Sequence, residues 1–475
     1  MDLTLNIPYK PTILVIGDVM LDHTFHGNVT KLANEAPIPV YKQSRESWSL
    51  GGAGNVAANL ARMGCNELYL FGRINRDMSE RTSILLSKYN IQNELSIDPV
   101  HPTIIKHRYY CGKTLLFRHD NETIAPLLDS VCSAILERIR FLCETKHIDS
   151  IILSDYSKGF MTPTLCQGIL ELAKRHGIFT CVDPKDDYSK YKGCSLLKPN
   201  RIETARLFGI TIDGTNTNDA HTHIHNVVGC SVSVITLSED GASIYDGATV
   251  YHCANQPMEV IDVTGAGDSM CATFGYLYPL LRNPELILQI ANKFAMISVG
   301  HIGSYVLNIR DFIRVRTHTS KLVDVHRLQS IVSSVHDAGF KSIFTNGCFD
   351  ILHVGHIDLL KRCKAMGDIV IIGLNSDTSI QRLKGPDRPI MNIEKRIAFL
   401  SVLEYVDFIC VFEEDTPAAL LETIRPSILV KGGDYTIDKI IGREFVNSVC
   451  IVPFMDGFST TSVIQTITAK NLKSS

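Results

Sequence analysis

Short apolar runs recur along the chain, each ending on a small or polar residue. Ile13-Leu14-Val15-Ile16 runs into Gly17-Asp18, Ile151-Ile152-Leu153 into Ser154-Asp155, and Leu196-Leu197 precedes Lys198-Pro199-Asn200. Between them lie helix-length segments with apolar spacing near 3.6, such as Val56 to Met63. Continuous apolar strands separated by helices predict a largely parallel α/β sheet covered on both faces. In such sheets ligands gather at the carboxyl ends of the strands, which is where these polar residues fall.

The rhythm restarts after about residue 340, with strands predicted at Ile343-Phe344-Thr345, Ile369 to Ile372, Phe408 to Val411 and Ile428-Leu429-Val430. This predicts one α/β domain over 1–318, a linking stretch over 319–340 and a second α/β domain over 341–475. The helical-looking Leu322 to Ala338 either closes the first or opens the second.

Composition narrows the class. With 45% hydrophobic and 20% charged residues the chain is globular rather than disordered. Lys plus Arg total 47 against 50 for Asp plus Glu, a formal net charge of −3, so no bulk field draws it to nucleic acid or anionic membrane. The 14 cysteines are scattered, without zinc spacing, and read as thiols of a reducing compartment. No apolar run approaches the roughly 20 residues of a membrane span, and Met1 to Lys10 does not read as a leader. The expectation is a cytoplasmic protein.

Two sets of residues carry chemistry in the first half. Asp262-Val263-Thr264-Gly265-Ala266-Gly267-Asp268 precedes a helix-compatible segment from Met270 to Tyr278. Small residues there let backbone N–H groups and the helix dipole meet an anion, with Asp268 beside it to take a proton from an attacking hydroxyl. Taken alone, the run reads equally as an Asp-capped turn. Gly51-Gly52-Ala53-Gly54-Asn55 opens another helix, where glycine permits close approach and Asn55 both donates and accepts. Asp18 and Asp22 follow the first strand and are placed to grip sugar hydroxyls. Asn200 and Glu203, three apart on one helical face, are suited to ordering a hydrated Mg²⁺ near phosphates.

In this order, over about residues 8 to 318, these motifs resemble the ribokinase (PfkB) family of sugar kinases. The resemblance implies a central sheet with flanking helices and a small β lid, ATP as co-substrate, Mg²⁺ as cofactor, Asp268 as base, and Gly265, Ala266 and Gly267 as the anion hole. Thr273 departs from the Ala or Gly usual in that signature. Arg118, in the basic stretch from Lys106, and Lys185 are candidates to neutralise a phosphate already on the sugar; surface cations of this kind are otherwise simply solvated.

In the second half, Asn346-Gly347-Cys348-Phe349-Asp350-Ile351-Leu352-His353-Val354-Gly355-His356 follows a strand and leads into a helix near Ile357. His353 and His356 flank Gly355, so both rings can face one phosphate. Metal ligation is the competing use of such a pair, but no third ligand accompanies it. Lys384 and Arg388 lie in a basic loop, Lys431 ends a strand, and Ser459-Thr460-Thr461 precedes a predicted C-terminal helix. Over about residues 341 to 475 these elements resemble the cytidylyltransferase-like nucleotidyltransferases, with their His-x-Gly-His and Ser-Thr-Thr motifs. A Rossmann-like domain binding nucleotide through Asn346, Gly347, Phe349, Asp350, Gly355, Lys384, Arg388, Lys431, Ser459, Thr460 and Thr461 is implied.

The fusion of the two resembles the bifunctional heptose kinase/adenylyltransferases, in phrases such as Gly51 to Ala57, Arg388-Pro389, Glu414 to Pro417 and Val430 to Tyr435. That resemblance implies heptose phosphates and ATP as substrates, ADP-heptose as product, a homodimer through the kinase half, and a separate phosphatase between the two steps. Another sugar kinase fused to a cytidylyltransferase, and a catalytically silent sugar-phosphate sensor, are the alternatives.

Overall fold

In the computed structural model the structure describes residues 9–453, apart from 113, 214, 256–258, 309–310, 312–320, 338–339 and 434–435. The chain divides into two units, Met1–Asp311 and Phe312–Ser475.

The first unit begins with β1 (Thr12–Gly17), β2 (Val19–Leu32), β3 (Pro39–Gly52), α1 (Ala53–Met63), β4 (Glu67–Asn75), α2 (Ser79–Ser87), β5 (Gln92–Asp98), β6 (Ile104–Cys111) and β7 (Thr114–Asn121). It continues with α3 (Asp129–Thr145), β8 (Ser150–Ser154), α4 (Pro163–His176), β9 (Phe179–Asp183), β10 (Leu196–Leu197), α5 (Arg201–Phe208) and α6 (Thr217–Val228). Last come β11 (Val232–Thr236), β12 (Ala242–Tyr245), β13 (Val250–Cys253), α7 (Ala266–Leu281) and α8 (Pro284–Val299). Nine strands form one sheet in the order β13-β12-β11-β10-β9-β8-β1-β4-β5. It is parallel from β11 to β5, and β12 and β13 add an antiparallel edge.

The apolar runs explain the centre of that sheet. Every residue of β1 and of β8 is buried, as a strand covered by helices on both faces requires. The helices show their own signals. On α4, Thr162 accepts from the Leu165 N–H, Pro163 sits at the first turn, and Gly177 closes the end in the left-handed region. A separate four-stranded sheet, β3-β2-β6-β7, forms the small second layer expected of a lid.

The second unit contains α9 (Val325–Asp337), β14 (Ser342–Gly347), α10 (Val354–Met366), β15 (Ile369–Asn375), α11 (Asp377–Lys384), α12 (Ile393–Ser401), β16 (Phe408–Phe412), α13 (Ala418–Ile424), β17 (Ile428–Gly432) and β18 (Ser448–Val452). All five strands are parallel, in the order β16-β15-β14-β17-β18. The sequence pattern misses β18, which is short and only partly buried. Helix α9 packs against α13, β14 and β16, and Leu322 bridges to Ile409, so this stretch lies within the second unit.

A tight point at the centre of the first sheet is Gly17, where a Cβ would come within 2.1 Å of the Ser154 carbonyl oxygen on the neighbouring strand. Gly17→Ala must push β1 and β8 apart, and overpacking of this kind costs about 1–3 kcal/mol. Urea denaturation of the full chain should show a lower midpoint for its first transition; an unchanged curve would mean that the strands yield freely.

Candidate active sites

The strand ends of the first sheet build the first site. Asp18 follows β1, Asp155 and Tyr156 follow β8, Asp183 ends β9 and Lys198 follows β10, and these strands are consecutive neighbours. Asp268 lies in the first turn of α7, behind Gly265, whose φ of 83° places it in the left-handed region that glycine adopts without strain.

The Asp268 carboxylate is buried and held on both oxygens. Asn55, in the first turn of α1, donates to Oδ2 at 2.7 Å, and the Tyr156 hydroxyl donates to Oδ1. Burial raises the Asp268 pKa, against the two hydrogen bonds, which lower it. Burial, with Asp268 beside it, also drives the Tyr156 hydroxyl well above its ordinary range, so Tyr156 is a permanent donor. Asn55 is fixed in turn by Asn59, whose amide donates to the Asn55 carbonyl at 2.9 Å.

Several expectations are corrected. Asp18 does not present a free carboxylate to a sugar. Its oxygens accept from the backbone N–H groups of Tyr156 (2.8 Å), Lys158 (3.1 Å) and Phe160 (3.3 Å), because the segment after β8 has no sheet partner for those donors. Burial and the nearby Asp155 push Asp18 up to about 6 despite these bonds. Asn200 and Glu203 do not share a helical face. They form a capping box on α5, in which the Asn200 side chain accepts from the Glu203 N–H and the Glu203 carboxylate accepts from the Asn200 N–H. The other Glu203 oxygen accepts from Lys185, a candidate for the sugar's phosphate, at 2.7 Å. Gly51 and Gly52 end β3 rather than opening α1, and a Cβ on Gly51 would lie 2.9 Å from the Asp22 carboxylate. Asp22 accepts from Arg108 and Ser304, and Arg118 pairs with Asp120 at 2.8 Å on the lid.

Sequence reasoning missed Tyr156, Arg108 and the buried Lys198–Asp183 pair (2.9 Å). Gly267 lies against that pair, with a Cβ there 3.6 Å from Lys198 Nζ. Burial works against the Lys198 charge, yet Asp183 holds the ammonium above its ordinary value; burial pushes Asp183 up to about 7, with Lys198 restraining it. For Tyr156, Asp183 and Lys198 the visible signal was position alone, at or just past the end of an apolar strand, whereas Arg108 lies inside β6.

The second site lies at the carboxyl end of β14. Helix α10 begins at Val354, three residues before the predicted start, with His353 as its N-cap residue and Gly355 and His356 in its first turn. The rings of His353 and His356 stack with centroids 3.9 Å apart, and Phe349, at φ 45°, lies 5.0 Å from His356. The Nδ1 atoms of both histidines are buried without a partner among the described residues. Burial, His353 and Lys384 push His356 down to about 4, and burial lowers His353. Burial thus favours the neutral form of both rings.

Around the pair, Asp350 accepts from Arg388 Nε at 2.6 Å and from the N–H groups of Ile390 and Met391, while Arg388 Nη2 is buried with no partner among the described residues. Lys431 donates to the Asn346 side chain across β14 and β17, and burial lowers it to about 8. A Cβ on Gly347 would lie 3.2 Å from the Phe349 ring. Arg396, missed in the sequence, is fully buried and ties the Cys348, Asn375 and Met391 carbonyls to Asp377. Ser459, Thr460 and Thr461 lie outside the described residues. Among the described residues no group of three or more His, Cys, Asp or Glu side chains could hold a metal directly, and both Glu203 oxygens already have partners. The residues present therefore fit only a water-mediated approach of Glu203 to Mg²⁺.

Comparison with known proteins agrees with these two constellations. The model of the pfkB family carbohydrate kinases matches residues 10–309, and that of the cytidylyltransferase-like proteins matches residues 344–466. Phosphofructokinase-2 from Escherichia coli, in complex with substrates and products, superimposes with a TM-score of 0.54 at 17% identity, over 65% of this chain and 98% of that one. At that identity the likeness shows the fold of the first unit. The protein is thus an ATP-using enzyme of two activities, a carbohydrate kinase followed by a nucleotidyltransferase.

The bifunctional protein HldE of Sulfurimonas denitrificans is 38% identical over 472 residues, covering 97% of this chain and 98% of that protein. HldE of Helicobacter acinonychis is 37% identical over 461 residues, covering 96% and 98%. The chain belongs to the HldE family of bifunctional proteins.

Tyr156 lowers the Asp268 pKa by donating to it, so its removal has a defined sign. Tyr156→Phe should raise that pKa and move the acidic limb of the kinase kcat/KM profile to higher pH, since the base works only when ionised. A limb that stays in place, or moves to lower pH, contradicts the arrangement.

Proposed function

We propose that the first unit transfers the γ-phosphoryl group of ATP to the C1 hydroxyl of D-glycero-β-D-manno-heptose 7-phosphate. The second unit joins D-glycero-β-D-manno-heptose 1-phosphate to the AMP portion of ATP, giving ADP-heptose and pyrophosphate. The observation that carries this reading is the match to HldE proteins along almost the whole chain, across both sites. It favours this pair of activities over a cytidylyltransferase fusion or a silent sensor.

In the kinase step the C1 hydroxyl gives its proton to Asp268 as its oxygen bonds to the γ-phosphorus and the bond to ADP breaks. Burial makes Asp268 a stronger base than a surface carboxylate. Asn55 and Tyr156 fix its orientation, leaving lone-pair positions for the hydroxyl. The N–H groups of Gly265, Ala266 and Gly267, at the positive end of α7, meet the transferring phosphoryl. Mg²⁺, when bound, neutralises the ATP phosphates, with Glu203 ordering its water from the α5 cap.

In the second step no base is required, because a sugar 1-phosphate is mostly dianionic at neutral pH, its second pKa being about 6. Its oxygen attacks the α-phosphorus and pyrophosphate leaves. His353, His356, Lys384, Arg388 and Lys431 supply donors and charge to the crowded phosphates, with Asn346, Gly347, Phe349, Asp350 and Gly355 shaping the nucleotide's seat and Ser459 to Thr461 added from the C-terminal segment. The protein works in the cytoplasm as a homodimer through its kinase half. No helix among the described residues is long and apolar enough to cross a membrane.

The assignments separate by mutation. Asp268→Asn should nearly abolish sugar phosphorylation and leave adenylyl transfer intact, while His356→Ala should reduce only the latter, by about 10²–10³. Pyrophosphate release at the normal rate in His356→Ala would remove that residue from the mechanism.

The kinase product carries phosphates at C1 and C7, whereas the nucleotidyltransferase substrate carries only that at C1. The purified protein given heptose 7-phosphate, ATP and Mg²⁺ should therefore accumulate the bisphosphate. ADP-heptose should appear only once a phosphatase acting at C7 is added; its appearance without one would mean that the second site accepts the bisphosphate.

A further inference from the structure

The stretch from Val263 to Gly267, which turns into α7, is built of residues that cannot anchor it. Val263 is 72% exposed, and after Thr264 come only Gly265, Ala266 and Gly267, the small residues that let an anion approach the backbone. Upstream, the N–H groups of Ile261 and Asp262 donate to the Val299 carbonyl at 2.8 and 3.1 Å, which ties the chain to the end of α8. Beyond that point the Asp262 side chain takes over. Its Oδ1 accepts from the Thr264 N–H at 2.9 Å, which fixes the bend. Its Oδ2 accepts from two donors outside the stretch, the Gly303 N–H at 2.9 Å and the Tyr110 hydroxyl at 3.1 Å.

Tyr110 belongs to β6 of the lid sheet and is buried. Two residues before it, on the same face of that strand, Arg108 is bound to Asp22 of β2, and Asp22 accepts in turn from Ser304, the residue after Gly303. The bonds close a ring that runs from Tyr110 to Asp262, to Gly303 and Ser304, to Asp22, and through Arg108 back to β6. Gly265 lies inside this frame. A Cβ there would stand 3.5 Å from the Ser304 Cα and 3.0 Å from the Asn55 amide that holds Asp268. Burial and Asp262 push the Tyr110 hydroxyl up to about 12, so it stays a donor. Burial acts to raise Asp262, but the bonds from Thr264, Gly303 and Tyr110 hold it below its ordinary value.

We propose that Tyr110 is a positioning residue for phosphoryl transfer, acting through Asp262 to hold the stretch from Gly265 to Gly267 in the geometry that receives the transferring group. The inference rests on the kinase reading above. Backbone N–H groups stabilise a developing charge best when they are aimed before it arrives, because a donor that must swing into place gives up in reorganisation what it gains in attraction. Gly265, without a Cβ, leaves the stretch free to reorient. The bond from the lid strand removes that freedom. Its contribution is made in the transition state, so it falls on kcat and leaves the ground-state binding of both substrates unchanged.

The test uses the full chain with heptose 7-phosphate, ATP and Mg²⁺. Tyr110→Phe keeps the ring and loses only the donor. It should lower the kinase kcat about 10-fold, the worth of one hydrogen bond to a charged group, with KM for the sugar phosphate, KM for ATP and the rate of adenylyl transfer unchanged. Aluminium fluoride, bound with ADP, Mg²⁺ and the sugar phosphate as a mimic of the transferring phosphoryl, should bind more weakly by the same factor, while ADP alone binds as in the wild type. A double-mutant cycle locates the effect. Asp262→Asn should lower kcat by itself, and adding Tyr110→Phe should lower it little further, because both changes break one bond. A kcat kept intact in Tyr110→Phe overturns the proposal, as do losses that multiply in the double variant, or a rise in KM for the sugar phosphate in place of the fall in kcat. A wild-type protein that phosphorylates no heptose phosphate would instead overturn the kinase reading itself.

Discussion

The first site depends on a buried carboxylate whose partners are backbone N–H groups. Asp18 takes three backbone N–H groups from the segment after β8, joining the carboxyl ends of two central strands where the sheet itself offers no further pairing. Burying such a charge costs several kcal/mol unless hydrogen bonds replace its water. Here the replacement is incomplete, because Asp155 crowds it, and the Asp18 pKa rises to about 6. What the arrangement secures is the path of residues 156–160. Tyr156 emerges from that path aimed at Asp268, and Asn55 closes the other oxygen from α1. Two helices and two strands thus converge on one carboxylate with both oxygens engaged.

The second unit solves the same problem with the opposite charge. Arg396 is buried at the carboxyl ends of β14 and β15, donating to backbone carbonyls that no strand can satisfy and to Asp377. Guanidinium suits this place because its planar fork serves several acceptors at once and keeps its charge when desolvated. The loop that carries Phe349 and Asp350 is thereby tied to the sheet, and Asp350 in turn organises Arg388.

The fold was legible in the sequence because strands covered on both faces are written as unbroken apolar runs. Ile13 to Ile16, Ile151 to Leu153 and Ile369 to Ile372 each fall within an observed strand. Glycine and histidine motifs marked the strand ends where both candidate sites lie, because backbone approach and ring chemistry demand particular residues at fixed spacing. What could not be read was which partner fills each lone pair. Asp18 and Asp268 look alike in sequence, each following a small residue, yet one is spent on backbone and the other is held by the side chains of Asn55 and Tyr156. Asn200 and Glu203 read as ligands and turned out to be a cap, because the same spacing serves both uses. Tyr156, Arg108 and Arg396 belong to no local pattern. Their roles arise only when strands distant in sequence end side by side.

The stacked histidines at the start of α10 hold little charge until something anionic arrives. Burial lowers both pKa values, that of His356 to about 4, and so favours the neutral rings. A phosphate set against them would raise both values, and the protons needed would come from solvent. Ligand affinity at this site is then tied to proton concentration by linkage. Each ring that becomes charged on binding strengthens it by up to one decade per pH unit between its free and bound pKa values. An anion seated at the start of α10 would then draw protons from solvent as it binds, and its affinity there would fall as the pH rises.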